Sequence, residues 1–236
     1  MARVHSGLHR GVSEKPKRTN PRWLAGSVYQ VIPMSQAKKL ILKRALDVLV
    51  SATALTLLLP LLAVIAALVK LSSKGPIFYR WEVVGHNGVP FAGYKFRSMY
   101  EDADRRKQEL LTRNEMKGPV FKMTNDPRIT PLGRILRKYS LDELPQLWSV
   151  LKGEMSLVGP RPPLVTEWIQ FTARQKQKLQ VKPGLTCLWQ ISGRNQISDL
   201  DDWVRMDLQY IRQWSLGLDL KILLKTIPAV VLGKGK

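Results

Sequence analysis

The hydrophobic pattern of this chain is dominated by one run, Ala45 to Leu71, in which 22 consecutive positions from Val48 to Val69 carry no charge. At about 1.5 Å per residue a helix of that length reaches about 33 Å, enough to cross a hydrocarbon layer of about 30 Å. Pro60 stands in the middle of the run, where it removes a helix hydrogen bond and crowds the preceding turn. Lys38, Lys39, Lys43 and Arg44 precede the run, and Lys70 and Lys74 follow it. Flanks rich in Lys and Arg stay on the cytoplasmic side of a membrane, and here both flanks qualify. The pattern predicts a helix that enters the membrane, breaks at Pro60 and returns to the face it came from. A straight crossing is the alternative, because spanning helices tolerate proline where neighbouring groups satisfy the freed backbone. The run starts too far along the chain for a secretory signal and no small-residue cleavage site follows it, so it reads as a retained anchor.

Beyond Gly75-Pro76 the periodicity changes. Ile77-Phe78-Tyr79 and Pro90 to Phe96 read as short strands around His86-Asn87-Gly88, and Asn-Gly is a strong hairpin signal. Glu101 to Asn114 is highly charged with sparse apolar positions, which predicts an exposed helix or a mobile loop. Leu132, Ile135 and Leu136 fall at helical spacing within Leu132 to Tyr139. Leu144, Leu147, Trp148 and Leu151 form a second stripe, closed by Lys152-Gly153. Two further helices are expected over 164–179 and 200–214. The stretch 216–232 is apolar but interrupted by Asp219, Lys221, Lys225 and Pro228, which suits a helix lying in a membrane interface. The expected fold is therefore α+β and mainly helical: a monotopic membrane protein with a re-entrant helix broken at Pro60, a short β-hairpin and amphipathic interfacial helices. Its parts are a flexible basic arm over 1–34, a lead-in and membrane helix over 35–74, and a cytoplasmic catalytic domain over 75–236.

Charge narrows the partners. The 236 residues include 38 Lys and Arg against 18 Asp and Glu, a net charge of +20. Such a balance calls for an anionic partner, and beside a membrane segment it favours lipid head groups and phosphates over nucleic acid. A membrane-anchored nucleic-acid-binding protein is the competing class, but the basic residues are spread along the chain with no recognisable DNA- or RNA-binding motif. The one cysteine, Cys187, excludes an intrachain disulfide, and two of the three histidines, His5 and His9, lie in the arm.

Two segments carry candidate chemistry. Ser140 to Leu147 places Asp142 and Glu143 side by side at a helix start, with Pro145 in the first turn. A structural reading is open: Ser140 to Glu143 fits a capping box, with Asp142 complementing the helix dipole. A chemical reading is open too. A carboxylate at a helix start, with Arg134, Arg137 and Lys138 just upstream, stays ionised and is a nucleophile toward phosphorus. Its neighbour then holds a magnesium ion, which takes oxygen ligands and pairs with substrate phosphates. The second segment is Val158 to Pro163, where Pro160, Pro162 and Pro163 surround Arg161. It is either a rigid connector or a pre-positioned guanidinium for a phosphate. Lys95 and Arg97 on the second strand of the hairpin, and the basic turns at Lys182-Pro183-Gly184 and Ser192-Gly193-Arg194-Asn195, are weak signals singly.

Taken in order, these pieces resemble the bacterial sugar transferase family, the monotopic phosphoglycosyl transferases. The series is Lys43-Arg44-Ala45-Leu46-Asp47, the apolar run with Pro60, Tyr94 to Met99, Asn125 to Gly133, Ser140 to Leu147, Leu151 to Pro162, and Lys182 to Thr186. It covers about Lys43 to Lys225, and the ordered set is far more specific than any member. The resemblance implies transfer of a sugar-1-phosphate from a UDP-sugar to polyprenyl (undecaprenyl) phosphate at the cytoplasmic face of the bacterial inner membrane. This is the first lipid-linked step of exopolysaccharide or glycoconjugate biosynthesis. It implies Asp142 as the nucleophile that forms an aspartyl phosphosugar and releases UMP, Glu143 as a ligand of Mg2+, and a re-entrant helix broken at Pro60. Lys95, Arg137 and Arg161 are implied as positions that contact phosphate or nucleotide, and Arg97, Pro160, Pro162 and Arg194 are further candidates for that contact. Anionic membrane lipid is a further expected partner and nucleic acid is not. The oligomeric state is open, a homodimer being one arrangement, and so are the sugar and the pathway.

The chain departs from the family pattern at several points. Leu59 precedes Pro60 where a serine is common; Trp81-Glu82-Val83 replaces a Gln-x-Arg, removing a positive charge; and Thr186-Cys187-Leu188-Trp189-Gln190 alters a Thr-Gly-Trp-x-Gln pattern. None touches the carboxylate pair. A catalytically dead scaffold is the remaining alternative, against which the intact pair and Pro160-Arg161-Pro162 stand.

Overall fold

The computed structural model describes residues 34–193 and 197–233; all of the arm but Met34, and the candidate Arg194, lie outside them. Helix α1, Met34–Ser72, has 39 residues and is helical through Pro60 rather than ending there. A proline inside a helix forfeits one ladder bond, and the flanking apolar turns keep the helix going on both sides. At about 1.5 Å per residue α1 is about 58 Å long, far more than a bilayer core requires. Over Ala37–Ser72 it is long and apolar enough to cross a membrane.

Both halves of α1 rest on the rest of the chain. In the first half, Ala54 and Leu55 pack onto a core built around Leu147, Val150, Met155, Tyr210 and Ile222. In the second, Ile65 and Val69 share a cluster with Phe96 and Leu136. Between them Leu57, Leu59 and Leu61 are exposed.

Strands β1, Phe78–Val84, and β2, Pro90–Phe96, form an antiparallel hairpin in which Trp81 faces Gly93. The turn is made where expected: Asn87 and Gly88 both take positive φ, 54° and 80°, which these two residue types tolerate. β1 is longer than its apolar start suggested, because pairing with β2 carries Arg80 to Val84 into the ladder. The charged segment after it gives a short helix α2, Ala103–Lys107, and a 3-10 turn over Gln108–Arg113.

Helix α3, Pro131–Lys138, starts where Thr130 accepts a hydrogen bond from the Gly133 amide at 2.9 Å. The Asp-Glu segment is a 3-10 helix, Leu141–Gln146, running into α4, Leu147–Lys152. Gly153 ends α4 at φ 84°, the left-handed cap its position predicted. Next come β3, Ser156–Val158, then α5, Val165–Trp168, and α6, Ala173–Lys176. The single helix expected over 164–179 is thus broken. Thr172 and Gln175 form a reciprocal capping box that starts a new helix just after buried Phe171.

β4, Gly184–Thr186, pairs in parallel with β3. The chain closes with α7, Leu188–Ile191, α8, Leu200–Gln213, and α9, Leu216–Val231. α9 buries Asp219 and Ile222 on one side and leaves Leu220, Leu224, Ile227 and Val231 exposed on the other. That division is the one expected of an interfacial helix.

Candidate active site

A cleft of about 370 Å³ opens between the hairpin, the 3-10 helix, the segment after β3 and the start of α8. Its walls include Lys95, Arg137, Asp142, Glu143, Arg161 and Glu167. Five of these were candidates from the sequence, drawn from positions 66 residues apart at the extremes.

The carboxylate pair sits on a constrained backbone. Ser140 takes φ 53° and ψ 23°, a left-handed conformation that costs a non-glycine residue energy and recurs at functional sites. The expected capping box does not form: the Ser140 side chain makes no capping hydrogen bond, and the Glu143 carboxylate turns to Lys95. The ion pair explains why, since a buried ammonium outcompetes a neutral backbone N–H for a carboxylate. Asp142 beside it is buried.

Lys95 Nζ donates to Glu143 Oε1 at 2.6 Å and lies 4.2 Å from the centroid of the Trp81 ring. Burial lowers the Lys95 ammonium below the ordinary lysine range; Arg161 adds to this, while Glu143 and Asp142 oppose it. The Trp81 indole gives Lys95 an aromatic seat. The opposite position requires glycine, because a Cβ at Gly93 would run into the indole ring.

Arg161 is held by its backbone. Gly159 N donates to Thr186 O at 3.0 Å, Gly184 N to Pro160 O at 2.9 Å, and Val84 N to Pro163 O at 3.0 Å. Pro160 is fully buried and Pro162 borders the cleft. The segment is strapped to β4 on one side and β1 on the other, so the guanidinium starts from a fixed point. Its charge reaches Lys95, Glu167 and Asp207.

Arg97 also borders the cleft, and its guanidinium is held by the end of α1. Its guanidinium donates to the carbonyls of Val69, Ser73 and Pro76 and to the Ser73 hydroxyl. It thereby satisfies backbone acceptors at the C-terminal end of α1. Arg137 lines the cleft as expected.

Several cleft residues had no predicted role. Asp126 and Arg128 form a buried pair, with Arg128 Nη2 2.7 Å from Asp126 Oδ2. Burial raises the Asp126 carboxyl, but hydrogen bonds and charge from Arg128 outweigh it and hold the group below its usual range. Arg128 also stacks 4.9 Å from the Phe121 ring centroid. Glu167 is raised by burial, against its bond to the Leu164 amide and the charge of Arg161. Trp189 and Trp203 stack at 4.4 Å on the inner wall. The signals for these residues were present in Asn125-Asp126-Pro127-Arg128 and in the tryptophans, without chemistry attached to them.

The described residues hold no group of three or more His, Cys, Asp or Glu side chains able to bind a metal by themselves. Magnesium often takes only one or two protein carboxylates and completes its shell with water and substrate phosphates. Asp142 and Glu143 meet that requirement. A carboxylate offers about four lone-pair sites, so the Lys95 contact does not exhaust Glu143.

With this geometry in view, likeness to known proteins becomes decisive. The profile of the family described as bacterial sugar transferase matches residues 38–233. The chain belongs to the bacterial sugar transferase family. The match takes in α1, the cleft and α9. Among relatives in this family, the exopolysaccharide production protein ExoY of Sinorhizobium fredii is 47% identical over 197 residues, 82% of this chain and 87% of ExoY. The galactosyl transferase CpsE of Streptococcus agalactiae serotype III is 53% identical over 161 residues, 68% of this chain but 36% of CpsE. The undecaprenyl-phosphate galactose phosphotransferase of Salmonella typhimurium is 43% identical over 194 residues, 80% of this chain and 40% of that protein. The chain therefore spans most of ExoY and well under half of the other two.

Proposed function

We propose that this sugar transferase family member moves a sugar-1-phosphate from a UDP-sugar to polyprenyl phosphate through a covalent intermediate on Asp142. One observation carries the reading: a buried aspartate beside a Lys95–Glu143 pair in a cleft lined by Arg137 and Arg161. Such a site suits phosphoryl transfer, which proceeds by positioning and charge neutralisation more than by acid–base chemistry. Relatives named as a UDP-galactose-lipid carrier transferase and an undecaprenyl-phosphate glucose phosphotransferase support the donor and acceptor classes.

In the first step an Asp142 carboxylate oxygen attacks the sugar-bearing phosphorus, and the bond from that phosphorus to the UMP oxygen breaks. UMP leaves and an acyl phosphate joins Asp142 to the sugar. In the second step an oxygen of the lipid phosphate attacks the same phosphorus and the bond to Asp142 breaks. The products are a polyprenyl diphosphate sugar and the free carboxylate. Lys95 and Arg161 supply fixed positive charge where the phosphate oxygens gather. Glu143 holds Lys95 and, with Asp142, is the expected seat of Mg2+, which when bound neutralises phosphate charge.

The second substrate is a membrane lipid, so the carboxylates belong near the head groups of the cytoplasmic leaflet of the inner membrane. Support for a re-entrant α1 comes from both its halves packing on one domain while the turns around Pro60 stay exposed. A straight crossing would carry one of those halves to the far side.

The test is release of UMP from a panel of UDP-sugars with polyprenyl phosphate in detergent. Asp142→Asn should abolish it, and labelled sugar-phosphate should be trapped on the wild-type protein before the lipid is added. Normal turnover by Asp142→Asn would remove the nucleophile. Cysteine labels placed before and after α1 should report one compartment; opposite compartments would establish a crossing.

A further inference from the structure

A second cavity of about 380 Å³ lies beside the cleft, walled by Thr124, Asn125, Arg134, Arg137 and Lys138 among others. Asp126 and Arg137 border both cavities. We infer that this basic notch on α3 seats the phosphate of the lipid acceptor, separately from the donor cleft, with Arg137 common to both. The inference rests on the transfer reaction proposed above.

Charge is the first support. Arg134, Arg137 and Lys138 border the notch, and the acid in its wall, Asp126, is paired with Arg128 at 2.7 Å and also feels the charge of Arg137, which leaves Arg134 and Lys138 as the surplus. The notch therefore has an excess of positive charge suited to a phosphomonoester.

The surroundings are the second. The buried side of α3 packs Leu132 and Leu136 against Leu62, Ile65, Ala66 and Val69 of α1. Ile135, between Arg134 and Arg137, is 55% exposed. The end of α9 touches the same place, since a Cβ at Gly233 would meet the Lys138 side chain. Ile227, Val231 and Leu232 of that end are exposed. The notch is thus a basic spot between two apolar elements. A nucleotide sugar has no use for such a collar, whereas a phosphate on a hydrocarbon chain matches both parts.

The chemistry is the third support. A double displacement brings two different phosphates to one carboxylate in turn. Two cavities meeting at Arg137 let the acceptor wait beside the site while the donor phosphosugar occupies it.

The experiment separates the two half-reactions. Exchange of labelled UMP into UDP-sugar needs no acceptor, while complete transfer to a short-chain prenyl phosphate in neutral detergent needs both. In Arg134→Ala/Lys138→Ala the KM for prenyl phosphate should rise about tenfold or more. UMP exchange should stay near wild type. Arg134→Lys/Lys138→Arg should recover most of the acceptor KM, which a folding defect would not allow. An unchanged acceptor KM, or an equal loss of UMP exchange, overturns the inference. So does a defect seen only when vesicles containing phosphatidylglycerol replace neutral detergent, because it assigns the residues to bilayer attachment. Absence of UMP exchange in the wild type counts against the covalent reaction instead. Direct binding of the same prenyl phosphate then decides the notch: weaker binding by the alanine variant supports it, and equal binding overturns it.

Discussion

Of the lysine–carboxylate pairs at 2.6 Å among the described residues, Lys95–Glu143 and Lys178–Asp207 have opposite settings. Lys95 and Glu143 line the cleft beside Asp142 and Arg161. Lys178 and Asp207 are sealed in the core, their side chains 3% and 1% exposed, among Leu179, Trp203, Val204 and Leu208. Burial raises the Asp207 carboxyl, opposed by Lys178 and Arg161. The contrast teaches that the length of an ion pair says nothing of its role. A pair with open volume in front of it can trade its partner for a substrate phosphate; a pair with none joins elements of the fold, here α8 and the 3-10 turn over Gln177–Gln180.

Single substitutions separate the two most sharply in the core. Asp207→Asn or Lys178→Met should each cost about 3–5 kcal/mol of stability, because a buried charge is left without its partner. Lys178→Met combined with Asp207→Leu should recover most of it. Denaturant titration in detergent reads both, and a single variant as stable as wild type would break the contrast.

In the cleft the signs reverse. Lys95→Met should lower turnover about 100-fold, the usual effect of losing one charge-stabilising donor. It should cost less stability than Lys178→Met, because Glu143, 13% exposed and facing the open cleft, can take up water once its partner is gone. A stability loss matching that of Lys178→Met would make Lys95 a second structural pair.

A pH profile sharpens the same point. Because burial lowers the Lys95 ammonium, the alkaline limb of UMP exchange should lie below the ordinary lysine value of about 10.4. Lys95→Arg, if active, should move that limb upward. The sign for stability follows from the same depression. Its penalty on folding is full below the folded value and is relieved as pH rises toward the unfolded one. The smallest effect is expected away from both pairs: Gly153→Ala, at φ 84°, should cost about 1 kcal/mol by thermal unfolding.

Much of this architecture was legible in the chain. The apolar run, the Asn-Gly turn and the amphipathic stripes of α3, α8 and α9 are local patterns, and local patterns survive folding. Lys95, Arg137, Asp142, Glu143 and Arg161 meet in the cleft because two rigid devices, the hairpin and the proline-flanked segment, carry them there. What was not legible depends on pairing across distance. β3 and β4 are three residues each and acquire meaning only beside one another. Arg97 lies one residue past the end of β2, where strand alternation no longer dictates direction, and the open carbonyls of α1 claim it. Glu143 obeys the spacing of a capping box yet answers to a lysine 48 residues away.

The first third of α1 grips the far end of α4. Arg44 donates to the Val150 and Leu151 carbonyls at 2.6 and 2.7 Å, where α4 ends, while Lys43 reaches Asp219 and Asp47 holds Ser156 and the Leu157 amide. α4 has six residues, about 9 Å of helix, and the 3-10 turn bearing Asp142 and Glu143 leads straight into it. A solubilising agent that loosens this part of α1 therefore lets go of the backstop behind the Asp142–Glu143 turn. The shape of the carboxylate turn thus depends on how well the membrane helix is kept.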